Sequence, residues 1–257
     1  MFLKMNLKRS VINWGMAVSV IISTVILFRS YIVNGVVGNS NTDILTISIY
    51  PLAMSGYVPF AALFPVLPYG FSYLEEKNSG FQKYIFMRTT YQRYMAHKIF
   101  FTGFAGGLSM VIPFIFAFGY AVIVGQPVSP ELYPQVYTEH IWGNYMFIWG
   151  GMLVLLFRLI LFFLFGFLWA EVALLISVLC SNRYVTFVVP FIIYQALWML
   201  LKESFLVYLN PAVLWRSDFG ADTPLAAPFI IQTVNIFIVI VFIIVFMRRK
   251  FKRILNV

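Results

Sequence analysis

Charged residues are scarce in this sequence. Only 11% of its 257 residues are charged, whereas 61% are hydrophobic, and the mean hydropathy is +0.88. An average soluble domain is about half apolar and about a quarter charged. This composition excludes an ordinary soluble domain and predicts an integral membrane protein.

Cysteine and histidine are also few. The single cysteine, Cys180, excludes an internal disulfide. The two histidines, His97 and His140, fall in different predicted loops and lack the spacing of metal ligands. We therefore expect neither redox chemistry nor a metal site.

Several catalytic motifs are missing. There is no G-x-x-x-x-G-K-[ST] phosphate-binding loop, no G-x-S-x-G elbow and no H-E-x-x-H helix. A Glu-Glu-x-x-x-Arg intramembrane protease would need arginine where Gly80 stands. We predict a non-enzymatic chain with no catalytic residue and no cofactor of its own.

Long apolar segments dominate what is present. Their lengths predict an all-α polytopic membrane protein, because about 20 residues of helix cross a bilayer. Residues 1–257 are predicted to form a single domain. The six predicted spans are residues 11–28, 45–73, 99–124, 159–180, 185–201 and 229–247. The run 141–180 is too long for one span, so we divide it at Arg158 into an outer-interface segment and the fourth span. Residues 202–228 are predicted to form an outer re-entrant or interfacial segment.

Prolines and small residues predict local features of these spans. The second span should be kinked or interrupted, because it contains four prolines. A stripe of Gly15, Ser19 and Ser23 would let another helix approach the first span closely. Gly103 and Gly107 form a G-x-x-x-G pair, which favours packing within the bundle, with a contact between subunits as the alternative.

The basic residues are distributed unevenly. Most of the 18 Lys and Arg fall in the first ten residues, the segment 73–98 and the C-terminal tail, whereas Lys202 and Arg216 lie in a predicted outer segment. The positive-inside rule therefore predicts a plasma or inner membrane protein with both termini in the cytoplasm. This distribution accounts for the net charge of +9, and we expect no nucleic acid partner.

The segment 73–98 is the one long charged stretch between two apolar ones. It contains an apolar patch at residues 84–87, and Tyr91, Tyr94 and Met95 recur at helical spacing, so two short helices are predicted. Such a cytoplasmic loop can lie on the membrane surface and meet a soluble partner. The alternative for its first charges, Glu75 and Glu76, is a solvated end of a span.

This layout resembles the membrane subunit of an ABC-type exporter of the second permease class. The resemblance rests on the six spans, on Glu75-Glu76-Lys77-Asn78-Ser79-Gly80 with Arg93 further on, and on Ser181-Asn182-Arg183-Tyr184-Val185 leading to Pro190. It implies an export complex in which this chain pairs with a second permease subunit and with a separate ATPase that binds ATP and Mg²⁺. It also implies that the loop docks on that ATPase, with five candidate coupling residues: Glu75, Glu76, Gly80, Arg88 and Arg93.

Glu171 is the only acidic residue inside a predicted span. An ionised carboxylate there costs a few kcal/mol, so Glu171 should face the bundle interior and be protonated or paired. It either lines a transport path or makes a hydrogen bond between helices. Arg158 lies about 20 Å away along the same helix at 1.5 Å per residue, too far for a direct pair.

The function predicted from these features is export of an amphipathic, lipid-like or peptide substrate. A stand-alone secondary transporter or channel is the first alternative, although the two halves of the chain show no internal repeat. A membrane immunity protein that transports nothing is the second.

Overall fold

The computed structural model describes residues 2–33, 42–129, 143–201, 210–211 and 227–254. These ranges are helical and contain no strand, which confirms the all-α prediction. The helices are α1 (Phe2–Val11), α2 (Trp14–Val33), α3 (Ile44–Met54), α4 (Val66–Tyr69), α5 (Ser72–Asn78), α6 (Phe81–Phe86), α7 (Tyr91–Val124), α8 (Met152–Leu179), α9 (Arg183–Leu201) and α10 (Ala227–Ile254), with 3-10 segments at Val58–Phe60 and Gly143–Gly151.

Four helical segments in the described part are long and apolar enough to cross a membrane. They are Leu7–Val33, Tyr91–Val124, Phe147–Leu179 and Arg183–Leu201. The chain is therefore helical and compatible with a polytopic membrane protein, while the count of six spans and the side of the termini stay predictions. The predicted re-entrant segment 202–228 lies outside the described residues except for residues 210–211 and the first two residues of α10.

The second predicted span is interrupted, as its prolines predict. Helix α3 ends at Met54, and a 3-10 turn, the short α4 and α5 carry the chain onward. Tyr57 and Ala61 in this irregular stretch are fully buried. Irregular backbone is tolerated at membrane depth only where protein covers it, and here α2 provides part of the cover.

The small-residue stripe of α2 makes this cover possible. A Cβ on Gly15 would lie 2.2 Å from the Leu67 carbonyl oxygen. Ser19 donates a hydrogen bond of 2.9 Å to the carbonyl oxygen of Phe64. The predicted close approach of another segment to this stripe is confirmed.

Helix α8 is the central helix of the bundle, and one prediction about it is wrong. The helix begins at Met152 and runs through Arg158 without a break, so residues 152–158 are not a separate interface segment. The Arg158 side chain is buried and donates a hydrogen bond of 2.9 Å from Nη1 to Ser48 Oγ on α3. That polar partner allows the guanidinium to lie inside the bundle.

The most extensive contact between two helices joins α7 and α8. A Cβ on Gly166 would lie 2.4 Å from the Gly106 carbonyl oxygen, and one on Gly106 would lie 2.7 Å from the Gly166 carbonyl oxygen. The predicted pair, Gly103 and Gly107, faces the rings of Phe167 and Phe163 on α8. Packing within the chain is thus confirmed for this pair, but the closest backbone contact is made by Gly106.

The loop 73–98 is shorter than predicted. Helix α6 is a separate short helix, as expected, but residues 91–98 are the first turns of α7, which continues into the third span without a break. No proline or glycine separates Tyr91 from Ile99, so nothing interrupts the helix there. The only breaks in this loop are the turns at 79–80 and 87–90.

Candidate functional site

A buried ion pair lies where α5 meets α7. Glu76 and Lys98 are each only 4% exposed, and Lys98 Nζ lies 2.9 Å from Glu76 Oε1. The second carboxylate oxygen, Oε2, accepts a hydrogen bond of 2.8 Å from the Tyr94 hydroxyl. Both oxygens of the buried carboxylate are thereby satisfied, which such a charge requires.

Two further residues connect this pair to other segments. Arg9 of α1 places Nη1 3.5 Å from Glu76 Oε1. Lys98 Nζ lies 4.6 Å from the centre of the Tyr69 ring, within the range of a cation–π contact. We call Arg9, Tyr69, Glu76, Tyr94 and Lys98 the Glu76 cluster.

Residues on either side of Glu76 bind the turn before α9. Glu75 forms an ion pair with Arg183, and both side chains are about half exposed or more. Lys77 Nζ donates a hydrogen bond of 3.0 Å to Ser181 Oγ. Helix α5 is therefore bonded to α1 and α7 through Glu76, to the α8–α9 turn through Lys77 and to the start of α9 through Glu75. We call this end of the bundle the charged end.

Gly80 sets the direction in which α6 leaves α5. Its backbone adopts φ +72°, in the left-handed region that favours glycine, and it is the N-cap residue of α6. A Cβ at this position would meet no atom within 4 Å, so backbone conformation, not space, requires glycine here.

Helix α6 and the turn after it carry apolar side chains at the surface. Phe81 is 44% exposed, Tyr84 65% and Met87 77%. Ile85, one turn after Phe81, is buried. We call Phe81, Tyr84 and Met87 the α6 face.

The five predicted coupling residues lie in different surroundings. Glu75 and Glu76 are bonded to the bundle, whereas Arg88 and Arg93 are exposed in the turn after α6 and in the first turn of α7. Glu76 is not a simple solvated span end, because it is buried. Sequence reasoning missed Lys98, Tyr94 and Arg9 as its partners, although the spacing of Tyr94 and Lys98 by four residues places them on one face of α7.

Glu171 lies in the middle of α8 and is fully buried, as its position in the span predicts. Its carboxyl group is near the Gly103 backbone and makes no hydrogen bond of ordinary geometry with the described residues. Gly166, Ala170, Ala173 and Ser177 of the same helix are also buried. Gly106 of α7 packs against Gly166 and Ala170, and Gly70 packs against Ala173, so the small-residue surface of α8 receives other segments. A role for Glu171 in a transport path stays a prediction.

Replacement of Glu171 separates its two candidate roles. Glu171→Gln keeps the shape of the side chain and removes its ability to ionise, so we expect it to change the free energy of unfolding by less than about 1 kcal/mol. If the carboxyl group lines a transport path, transport or its pH dependence will change in this variant. If it only packs, transport by Glu171→Gln will match the wild type, while Glu171→Leu will impair folding. Normal folding and transport of Glu171→Leu would contradict both roles.

The described residues contain no group of three or more His, Cys, Asp and Glu side chains that could hold a metal ion. No protein-family model, curated protein or solved structure matches this chain. The charged end is the candidate functional site. Helix α6 exposes an apolar face there, and the preceding helix, α5, is attached to several segments of the bundle by buried and exposed ionic contacts.

Proposed function

We propose that this chain is the permease subunit of an ATP-driven ABC exporter. In this proposal the α6 face and the adjacent Arg88 and Arg93 dock on a separate ATPase chain that binds ATP and Mg²⁺. The observation that carries the proposal is the combination of an exposed apolar face on α6 with the ionic attachment of α5 to the bundle.

The composition of the α6 face supports a protein partner. Aromatic residues, methionine and arginine are enriched in the centres of protein interfaces. Phe81, Tyr84 and Met87 are exposed together, with Arg88 next to Met87. A partner would remove these side chains from water and would find cations at their edge for its own acidic groups.

The contacts of α5 support transmission of movement. A displacement of α6 would act on α5 through the two-residue connection at 79–80. Helix α5 in turn is bonded to α7 through Glu76 and to the start of α9 through Glu75. Coupling between an ATPase and a membrane path needs such a contiguous connection between elements that can move as units.

The transported molecule is proposed to be amphipathic, lipid-like or a peptide. A second permease subunit would complete the path, and Glu171 is the candidate for a polar group on it. These points rest on the resemblance of the sequence to the permease class and on the apolar, aromatic character of the helices.

Co-purification tests the proposal. The full chain, tagged and extracted from its native membrane in mild detergent, is expected to bring with it a protein that contains a P-loop. Met87→Gln should weaken this association, because it removes the most exposed apolar side chain of the α6 face. Gln92→Ala, an exposed change outside that face, is the matched control. Recovery of a chain free of any ATPase from native membranes would contradict the proposal and favour a stand-alone transporter or an immunity protein.

Changes at the proposed coupling residues should separate ATP hydrolysis from transport. Gly80→Pro forces φ to about −65° where the backbone has +72°, which redirects α6. Arg93→Glu reverses a charge on the proposed docking surface. We expect each variant to insert normally, while transport per ATP hydrolysed falls by about tenfold, equivalent to 1.4 kcal/mol of coupling.

Reconstituted complexes would provide this measurement, with transport and phosphate release followed in the same vesicles. Gly119→Ala is the control for Gly80→Pro, since a Cβ at Gly119 meets nothing within 4 Å and φ there is not positive. Unchanged transport and normal ATPase binding by both variants would exclude a coupling role for the loop.

A further inference from the structure

A partly open cavity of about 330 Å³ lies beside the Glu76 cluster, bounded by α1, α4, α5, α6 and the first turns of α7. This volume is in the range of small-molecule sites. Its lining residues are Arg9, Tyr69, Glu76, Phe81, Tyr84, Ile85, Arg88, Thr89, Tyr94, His97, Lys98 and Phe101.

The lining carries an excess of positive charge. Arg9, Arg88 and Lys98 contribute three cations, whereas Glu76 is the only acidic side chain among the lining residues. The Glu76 carboxylate is already engaged by Lys98 and Tyr94 and lies 3.5 Å from Arg9. Arg88 forms no ion pair with any described residue. A ligand in this cavity therefore meets a net positive wall that an anion would neutralise.

The rest of the wall is apolar and aromatic. Phe81, Tyr84, Ile85 and Phe101 supply ring and aliphatic surface. A site lined by both cations and rings suits an amphipathic anion better than a fully hydrated ion, because the rings would leave such an ion without partners.

The depth of the cavity fits the lipid headgroup layer. Helix α7 has 34 residues and is about 51 Å long, whereas a bilayer hydrocarbon core is about 30 Å thick. A centred helix thus projects by about seven residues at each end, which places residues 91–97 outside the hydrocarbon and Lys98 at its boundary. Headgroup phosphates lie at this level, beside the Tyr and Arg side chains that favour it.

We propose that this cavity binds an anionic phospholipid from the membrane leaflet at the charged end. The guanidinium groups of Arg9 and Arg88 hold the phosphate, and the glycerol and upper acyl carbons lie against Phe81, Tyr84 and Phe101. Arginine suits this role because its planar fork of donors matches two phosphate oxygens at once. The inference needs no ATPase partner. Because the site includes Phe81, Tyr84 and Arg88 of the proposed docking surface, the lipid and the ATPase would occupy these residues alternately.

The site can be tested on the purified full chain without any partner. Binding of dihexanoyl phosphatidylglycerol, dihexanoyl phosphatidylcholine and inorganic phosphate is measured in detergent by native mass spectrometry and by the rise in Tm at matched concentrations. We expect the phosphatidylglycerol to bind about tenfold more tightly than the phosphatidylcholine and to raise the Tm, since both share the phosphate but only the former has a net negative charge.

Two variants assign this binding to the cavity. Arg88→Gln is expected to weaken phosphatidylglycerol binding about tenfold, the loss typical of one charge-assisted contact, and Arg9→Gln should act in the same direction. Lys83→Gln is the matched control, because Lys83 is exposed on α6 and does not line the cavity. Arg88 is itself exposed, so its replacement leaves the fold intact even if Arg9→Gln does not fold.

Three results would overturn the proposal. Equal binding of the two lipids would show that the net charge is not recognised. Inorganic phosphate that stabilises the protein as well as phosphatidylglycerol does would identify a soluble phosphate as the ligand. An Arg88→Gln variant that binds phosphatidylglycerol as Lys83→Gln does would place the lipid elsewhere. Because no ATPase is present, failure here is distinguishable from failure of the proposed export function.

Discussion

Replacing Glu76 by glutamine is expected to lower the free energy of unfolding by about 3–5 kcal/mol, the cost of breaking a buried ion pair by removing one partner. Glutamine keeps the shape of the side chain but leaves the Lys98 ammonium, 4% exposed, without its counter-charge 2.9 Å away. It also weakens the bond that Tyr94 donates to Oε2. Unfolding of the purified protein in mixed micelles at increasing denaturant measures the loss.

Two comparisons make this result specific to the buried pair. Glu75→Gln removes the neighbouring carboxylate, whose pair with Arg183 is exposed, and should cost only about 0–1 kcal/mol. The double variant Glu76→Gln with Lys98→Met removes both charges and should recover much of the loss, because no unpaired charge then remains buried. Equal stability of Glu76→Gln and Glu75→Gln would show that the Glu76 cluster does not hold α5 to α7.

Leucine in place of Gly166 is expected to separate α7 from α8 and to cost more than about 3 kcal/mol, at the upper end of overpacking in a close-packed interior. A Cβ at this position already lies 2.4 Å from the Gly106 carbonyl oxygen, and a backbone atom cannot turn aside as a side chain can. The same denaturant titration, with helix content followed by circular dichroism, measures the effect.

Substitutions at glycines of α7 provide a graded comparison with Gly166→Leu. Gly103→Ala meets the Phe167 ring, whose side chain can rotate, so a smaller loss is expected than for Gly166→Leu. Gly119→Leu is the control, since no atom lies within 4 Å of a Cβ there and the position is exposed. If Gly166→Leu and Gly119→Leu were equally stable, the close crossing of the two helices would not be required for the fold.

Features that depend on neighbouring residues in the chain were predictable. Apolar runs of about 20 residues determined that the chain forms long helices suited to a membrane, because backbone groups in hydrocarbon must be bonded within their own segment. The four prolines between residues 51 and 68 predicted that the second span is interrupted, since each removes a backbone donor. Glu171 was placed in the interior because a mid-span carboxyl group gains nothing from lipid.

The candidate site was predictable only as a set of residues. Charge and the resemblance to a permease class singled out Glu75, Glu76, Gly80, Arg88 and Arg93. Local pattern alone cannot tell that Glu76 turns into the protein while Arg88 and Arg93 remain exposed, because all five are polar residues or glycine near the end of a span. The start of α7 at Tyr91 was not predicted for a related reason. The charged residues before Ile99 indicated a loop, whereas the helix continues through them beyond the apolar region.

Tertiary structure decided which distant residues meet. Lys98 reaches Glu76 from 22 residues further along the chain, and Arg158 reaches Ser48 from 110 residues away. Gly106, rather than the more regular pair at 103 and 107, makes the closest backbone contact with α8. Hydropathy along a sequence specifies which segments are buried, but the free energy of a buried charge or a close backbone approach depends on the atom opposite it, and that atom belongs to another helix.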